Sequence, residues 1–435
     1  MTTARRLGPW AATAMVVSQV VGVGIFLTPA TMMRTVGSLW AALAVWAGIG
    51  LLSMAGALCY GELTTRFPKA GGGYVFLREA FGARSAFVYG WMALLVMDPG
   101  ITAALGIGLA QYLLAAIGGP ARLVPPVAIA TIVCFGLVTL LGINASARVL
   151  RWTAAAKLAI VAVLVGAAVT QAGGDRGLAA WSGATAVLTP EALAASVIAA
   201  FFAFGGWWEL GRMSEEVESP RRTMPRALIG GIALVTLIYA MASIAYTLGT
   251  SGPISGSDEA FVSMVGAALF GNAGGRLLAV MVVVAVAGSL AATLLGAPRV
   301  YVAMARDGLF PQRLARFDER RGSAPASTIV QIVLASGLVL LGTFNEILGY
   351  FVPCAVFFLG LSASAVLVLP RPVEGTTVFR APLHPLPILL FLVLIVSVLG
   401  LFLVGQPRQT LLGAAVVALG VPVSWFVLPR ALKAT

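Results

Sequence analysis

The sequence predicts an all-α membrane protein of twelve transmembrane helices, two of them broken near their middles. Three observations carry this. Of the 435 residues 60% are hydrophobic and 10% charged, with a mean hydropathy of +0.98, whereas soluble domains carry roughly a quarter charged residues. The apolar residues form solid blocks, and a helix crosses a bilayer with roughly 20 such residues. Two of the blocks share a central glycine cluster that the others lack. A transmembrane β-barrel would instead show alternating segments of about ten residues.

Twelve blocks run along the chain in order: Gly8–Met33, Leu39–Leu63, Ser85–Ile117, Val124–Ile143, Ala154–Val169, Leu193–Leu210, Ala227–Leu248, Leu277–Met304, Ser327–Leu341, Ile347–Leu369, Leu386–Val404 and Leu411–Leu428. The first begins after Arg5 and Arg6, as a signal peptide would, but a signal's apolar region spans only about 7–15 residues and this run continues to Met33. It reads as a retained helix. The loops Gln171–Glu191 and Arg306–Ala326 are too short for a folded domain, so function must lie inside the membrane. Between the seventh and eighth blocks, Glu259–Leu269 is apolar at helical spacing and predicts a short helix on the outer face.

The net charge of +12 would suit nucleic acid if it formed a patch, but it is distributed by side. Basic residues collect on the cytoplasmic side of short loops. With the N-terminus inside, the outer segments hold only Arg34, Arg122, Arg176, Arg276 and Arg408, and Lys157 lies within the fifth block, which leaves 22 of the 28 basic residues on the cytoplasmic side. The expectation is a multi-pass inner-membrane protein with both termini cytoplasmic and no nucleic-acid partner. Cys59, Cys134 and Cys354 fall in or beside apolar blocks and read as packing residues. The single His384, among prolines ahead of the eleventh block, reads as structural.

The glycine clusters are Gly22-Val23-Gly24 in the first block and Gly205-Gly206 in the sixth. Five spans separate them, an odd number, so the sixth block enters the membrane opposite to the first, as in an inverted-topology repeat. Residues 8–170 and 191–369 are then two five-helix halves (5+5), with residues 385–429 added as the last two helices. In lipid an unpaired backbone group costs several kcal/mol, so a break is tolerated only where it lines an enclosed cavity. Glycine permits the required backbone angles and close approach of a ligand. The half-helix starting after Gly24 offers N–H groups and a positive dipole end to a carboxylate, and the half ending near Val21 offers carbonyls to an ammonium. The pattern fits an α-amino acid; the bland alternative is close helix packing through small residues.

Three stretches carry a family resemblance: Gly22-Val23-Gly24-Ile25-Phe26; Glu62 to Tyr74 (ELTTRFPKAGGGY) with Leu77 to Gly82 (LREAFG); and Phe201 to Trp207 (FFAFGGW) with Glu215 to Ala227 (EEVESPRRTMPRA). Together they resemble the amino acid, polyamine and organocation (APC) superfamily over the whole chain, nearest the L-type amino acid transporter branch and its bacterial relatives. The resemblance implies the LeuT/APC fold, with five plus five inverted helices and helices 1 and 6 broken. It also implies that Gly22, Val23, Gly24 and Ile25 bind a substrate carboxylate through N–H groups, and that Val20, Val21, Phe201 and Ala203 supply carbonyls to its amine. Phe202 stands at the family's aromatic lid. Phe204 and Gly205 flank it, and Gly205-Gly206 leaves room for a large side chain.

Single charges refine the expectation. Lys157 lies mid-span, where an ionisable residue is a functional hypothesis by default; snorkelling to the surface is the alternative. By the resemblance it stands where sodium-coupled relatives bind a cation, which implies sodium-independent transport, and an amine there can exchange protons during the cycle. Asp98 departs from the L-type pattern, which places a neutral or basic residue before this proline. Its partner is a lysine, a proton or a substrate amine, so a cationic substrate is open. Glu209 is expected to pair with Arg212 or Arg148 in a gate. The Glu62–Tyr74 and Glu215–Arg222 stretches, with interleaved charges, are either a salt-bridged cytoplasmic gate or solvated anchors.

The implied function is secondary active amino acid transport by alternating access, sodium-independent, coupled to protons or running as an antiporter (exchange) or symporter. The alternatives are a cationic amino acid or polyamine exchanger or exporter, and a transport-dead amino acid sensor. One histidine and no cluster of metal ligands or activated nucleophile argue against an enzyme, and no metal or other cofactor is expected. The partners are the amino acid, membrane lipid and possible coupling protons. L-type transporters of eukaryotes pair with a glycoprotein through a cysteine between the third and fourth spans; Gly118–Leu123 has none, so no disulfide-linked heavy chain is expected.

Overall fold

The computed structural model describes residues 7–22, 38–69, 71–141, 189–249, 261–318, 320–371 and 378–431, with scattered positions between 24 and 36 and between 152 and 166. The described chain is helical apart from turns and isolated bridges. In order come α1 (Pro9–Val20), α2 (Leu39–Arg66), α3 (Gly73–Met92), a π-helical turn (Ala93–Met97), α4 (Asp98–Ile117), α5 (Val124–Leu140) and α6 (Pro190–Ala203). A 3₁₀ segment, Trp207–Glu216, leads to α7 (Pro220–Gly249), α8 (Phe261–Gly296), α9 (Pro298–Arg306), α10 (Pro325–Leu341), α11 (Phe344–Val368), α12 (Leu386–Gly405) and α13 (Pro407–Ala431). Eight stretches are long and apolar enough to cross a membrane, and α10 is a shorter apolar helix. Most of the fifth expected block lies outside the described residues.

Two helices begin ahead of their apolar blocks, each with a glycine kink inside it. Gly82 (φ 84°) divides α3 so that its first turns precede the span expected from Ser85. Gly271 (φ 72°) does the same in α8, and the short helix expected over Glu259–Leu269 occupies the part before this kink. Positive φ is tolerated at glycine because there is no β-carbon to clash.

Glycine also sets the helix spacing. A β-carbon on Gly50 of α2 would lie 2.5 Å from Thr236 Oγ1 of α7, and one on Gly100 of α4 would lie 2.6 Å from Phe351 of α11. Small residues at such crossings let membrane helices approach closely. The periphery is apolar toward lipid: only 22% of the most apolar window of α5, and of α13, is buried. Cys134 on α5 is exposed there, unlike the buried Cys59 and Cys354.

The charged stretches singled out in the sequence find partners in the packed bundle. Glu62 pairs with Arg66 at 3.1 Å and accepts from Ala381 N at 2.9 Å, Thr65 Oγ1 accepts from Phe379 N at 3.1 Å, and Arg66 donates to Pro370 O at 2.8 Å. These bonds pin the segment ahead of α12 onto the end of α2. Tyr74 and Arg78 both donate to Asp307 Oδ2, just past α9. Gly71 and Gly72 instead hug the third motif: Gly71 N donates to Arg212 O at 3.2 Å, and a β-carbon on Gly72 would stand 3.1 Å from Arg212 N.

Candidate functional site

α1 stops at Val20. Val21 N still donates to Val17 O at 2.8 Å, Gly22 N turns back to Val20 O at 2.6 Å, and Val21 and Gly22 are bends, after which Gly24 and Ile25 are again helical. Val23 lies outside the described residues. α6 likewise stops at Ala203, and Phe204, Gly205 and Gly206 form a turn in which Gly206 has φ 110°. The chain then continues as the 3₁₀ segment rather than as an α-helix. The two interruptions touch: a β-carbon on Gly24 would fall 2.6 Å from Ala203 Cα, and one on Gly206 would fall 3.2 Å from Gln19 O.

The ends of α1 and α6 leave carbonyls that must find donors in an apolar interior. Tyr239 Oη of α7 lies 2.8 Å from Val20 O and 2.7 Å from Ala203 O, so its single hydrogen is donated to the end of α1 or of α6, or is shared between them. The ring is wedged against Trp46 (4.8 Å) and Phe204 (5.1 Å), and Trp46 Nε1 donates to Ser243 Oγ at 2.7 Å. Sequence reasoning missed Tyr239. Its signal was a phenol inside the apolar run Leu237-Ile238-Tyr239-Ala240, where a buried hydroxyl must have a partner.

Lys157 Nζ points inward rather than toward the membrane surface. It donates to Ser18 O of α1 at 2.6 Å and to Ser289 Oγ of α8 at 2.9 Å, and the residue is 2% exposed. Ser289 in turn lies 3.1 Å from where a β-carbon on Gly22 would be, so the lysine, α8 and the first glycine are in one chain of contacts.

A second buried ionic group lies on the other side. The π-helical turn re-aims the chain so that Asp98 opens α4; such turns are frequent at functional sites. Arg212 Nη1 donates to Asp98 Oδ1 at 3.1 Å and stands 3.1 Å from Glu209 Oε2, while Tyr301 Oη donates to Asp98 Oδ2 at 2.7 Å. Arg212 and Asp98 are each 2% exposed at the side chain. The partner of Asp98 is therefore an arginine and a tyrosine, not the lysine expected as one choice. Arg148, the other partner considered for Glu209, lies outside the described residues.

Between these groups is a cavity of about 90 Å³, room for roughly six waters at about 15 Å³ each. Of the residues singled out in the sequence, Val20, Gly22, Gly24, Asp98, Phe201, Phe202, Ala203, Gly205 and Glu209 line it. Phe202 meets Phe344 edge-on at 5.8 Å. Val21, Ile25, Phe204, Lys157 and Arg212 are not in its wall. Phe204, expected beside the substrate, instead packs on Trp46 and Tyr239. Gln19, Ile101, Leu105, Trp208, Ser289 and Phe351 line the cavity and were not foreseen.

A bundle of apolar helices enclosing a cavity walled by main chain and a few buried charges defines an integral membrane carrier of small solutes. The chain matches the family model described as amino acid permease over residues 7–423 and belongs to that family. It is 27% identical to the human cystine/glutamate transporter (94% of this chain, 82% of the relative). It is 26% identical to the serine/threonine exchanger SteT of Bacillus subtilis (strain 168), covering 96% of both. The mouse large neutral amino acids transporter small subunit 2 is 28% identical, over 96% of this chain and 80% of the relative. In fold it is similar to MhsT, solved in complex with L-phenylalanine, with a TM-score of 0.58, 16% identity and coverage of 89% and 98%. The chain is an amino acid transporter with a LeuT-like fold, not an enzyme.

Proposed function

We propose that this transporter moves amino acids across the cytoplasmic membrane by alternating access without sodium, in exchange for another amino acid or together with protons. The observation that carries the reading is the Lys157 ammonium bonded to Ser18 O and Ser289 Oγ. It supplies donors to a carbonyl of α1 and to α8, work that a bound sodium ion would otherwise do. That SteT is by name an exchanger supports the exchange mode.

In this reading the substrate carboxylate meets the N–H groups beyond Gly22, whose own N–H turns back to Val20 O, and its ammonium meets main-chain carbonyls at the ends of α1 and α6. Val20 O already accepts from both Gly22 N and Tyr239, whereas Ala203 O keeps a second lone pair beside Tyr239. Phe202 covers the bound molecule, and the Glu209–Arg212 pair closes the cytoplasmic side. The same reading takes the chain as twelve spans, with halves 8–170 and 191–369, the pair 385–429 outside them, both termini cytoplasmic and no disulfide-linked subunit.

Uptake into proteoliposomes of the purified protein tests this. Amino acid flux is expected in sodium-free buffer, driven by internal amino acid or by a pH gradient. A strict sodium requirement overturns the role given to Lys157, and ligand binding with no flux under any gradient makes the protein a sensor.

A further inference from the structure

A second cavity lies away from the substrate space, where the end of α10 meets the first turns of α11 and α13. Its volume is about 350 Å³, against about 90 Å³ for the cavity between the ends of α1 and α6. Leu338, Leu341, Ile347, Leu412 and Val416 line it. Leu341 and Leu412 are 82% and 55% exposed, so the apolar wall is open to lipid. Two opposite charges stand on its polar side, Arg408 and Glu346. Arg408, at the start of α13, makes no ion pair among the described residues. Glu346 spends Oε2 on capping α11, accepting from Thr343 N at 2.8 Å and Thr343 Oγ1 at 2.9 Å, and its Oε1 has no bond among the described residues. On the proposed orientation Arg408 lies on the outer side, so the cytoplasmic anchoring that collects basic residues does not account for it.

We infer that this groove binds one zwitterionic aminophospholipid, with its phosphate on the Arg408 guanidinium, its primary ammonium on Glu346 Oε1 and an acyl chain against the apolar wall. A guanidinium grips phosphate through two parallel N–H bonds. An ammonium with N–H donors satisfies the carboxylate. A choline headgroup has no such donor, and a purely anionic headgroup leaves Glu346 facing negative charge. The consequence runs inward along α11. Ile347 and Tyr350 line the groove, whereas Phe351, Val352 and Ala355 line the substrate cavity, and Phe344 at the start of the same helix meets Phe202. A lipid filling the groove therefore backs the helix that forms one wall of the substrate space.

Native mass spectrometry of the purified protein in detergent tests the site, with phosphatidylethanolamine, phosphatidylcholine and phosphatidylglycerol of the same acyl chains offered in equal amounts. One phosphatidylethanolamine is expected to be retained at least about tenfold over phosphatidylcholine, the equivalent of one charge-assisted hydrogen bond. Glu346→Gln keeps the helix cap, since glutamine also serves in a capping box, and is expected to bring that ratio to about one. Arg408→Gln is expected to weaken retention of all three lipids. Added phosphatidylethanolamine is expected to raise the melting temperature of the wild type and not that of Arg408→Gln, which separates a lost site from a lost fold. Equal retention of the three lipids by the wild type reduces the groove to annular contact and overturns the inference. So does a preference for phosphatidylglycerol, the mark of an anion site alone. A dimer that Arg408→Gln dissolves overturns it as well, because a second copy of the chain then fills the groove.

Discussion

Two polar side chains near the cavity, Lys157 and Tyr239, hold main-chain oxygens that the apolar surroundings would otherwise leave bare. Lys157→Met removes the donor to Ser18 O and Ser289 Oγ, and flux of labelled amino acid is expected to be lost while the protein is still recovered from the membrane. Lys157→Arg is not expected to restore it, since a planar guanidinium does not fit a site shaped for a compact ammonium. Tyr239→Phe keeps the ring that packs on Trp46 and Phe204 and deletes only the hydroxyl shared by Val20 O and Ala203 O. Leaving a buried acceptor unmatched costs about 1–3 kcal/mol. The expected result is a lower melting temperature in detergent, together with weaker substrate binding, because the same carbonyls are proposed to meet the ammonium. A drop in stability with unchanged affinity would show that Tyr239 serves the fold alone.

The glycine clusters at Gly22-Val23-Gly24 and Gly205-Gly206 were legible in the sequence and stand where α1 and α6 end, but which glycine does what was not. A β-carbon on Gly24 would meet backbone, Ala203 Cα at 2.6 Å, whereas one on Gly22 would meet a movable hydroxyl, Ser289 Oγ at 3.1 Å. Gly24→Ala is therefore expected to destabilise by about 1–3 kcal/mol through overpacking, and Gly22→Ala by less, in parallel thermal melts. Gly206→Ala combines contact with Gln19 O and a φ of 110°, which a side chain rarely adopts. The apolar blocks announced the spans because lipid demands long solid runs. The kinks at Gly82 and Gly271 were invisible, since a glycine in a helical pattern carries no mark of its φ. The partners of Asp98 were equally hidden: Arg212 is 114 and Tyr301 203 positions away, and only the packed bundle brings them together.

At the scale of the molecule, two kinds of ionic contact join the helices, and they should respond differently to salt. Arg78 and Asp307, with side chains 49% and 33% exposed, join α3 to the end of α9. Arg212 and Asp98, each 2% exposed, join the 3₁₀ segment to α4 out of reach of solvent. Exposed pairs are screened over roughly 10 Å at 0.1 M ionic strength, and buried ones much less. Raising the salt is therefore expected to erase any effect of Asp307→Asn on melting temperature while leaving that of Arg212→Gln intact. Removing one member of a buried pair strands the other at a cost of about 3–5 kcal/mol, so Arg212→Gln should be the most damaging single change of this group. Asp98→Asn placed on top of it should recover part of the loss, because the stranded carboxylate is then neutral. Recovery by Asp98→Asn but not by Asp307→Asn would show that the buried contact, rather than the surface one, fixes the 3₁₀ segment against α4. Equal recovery by both would mean that the bundle senses only total charge.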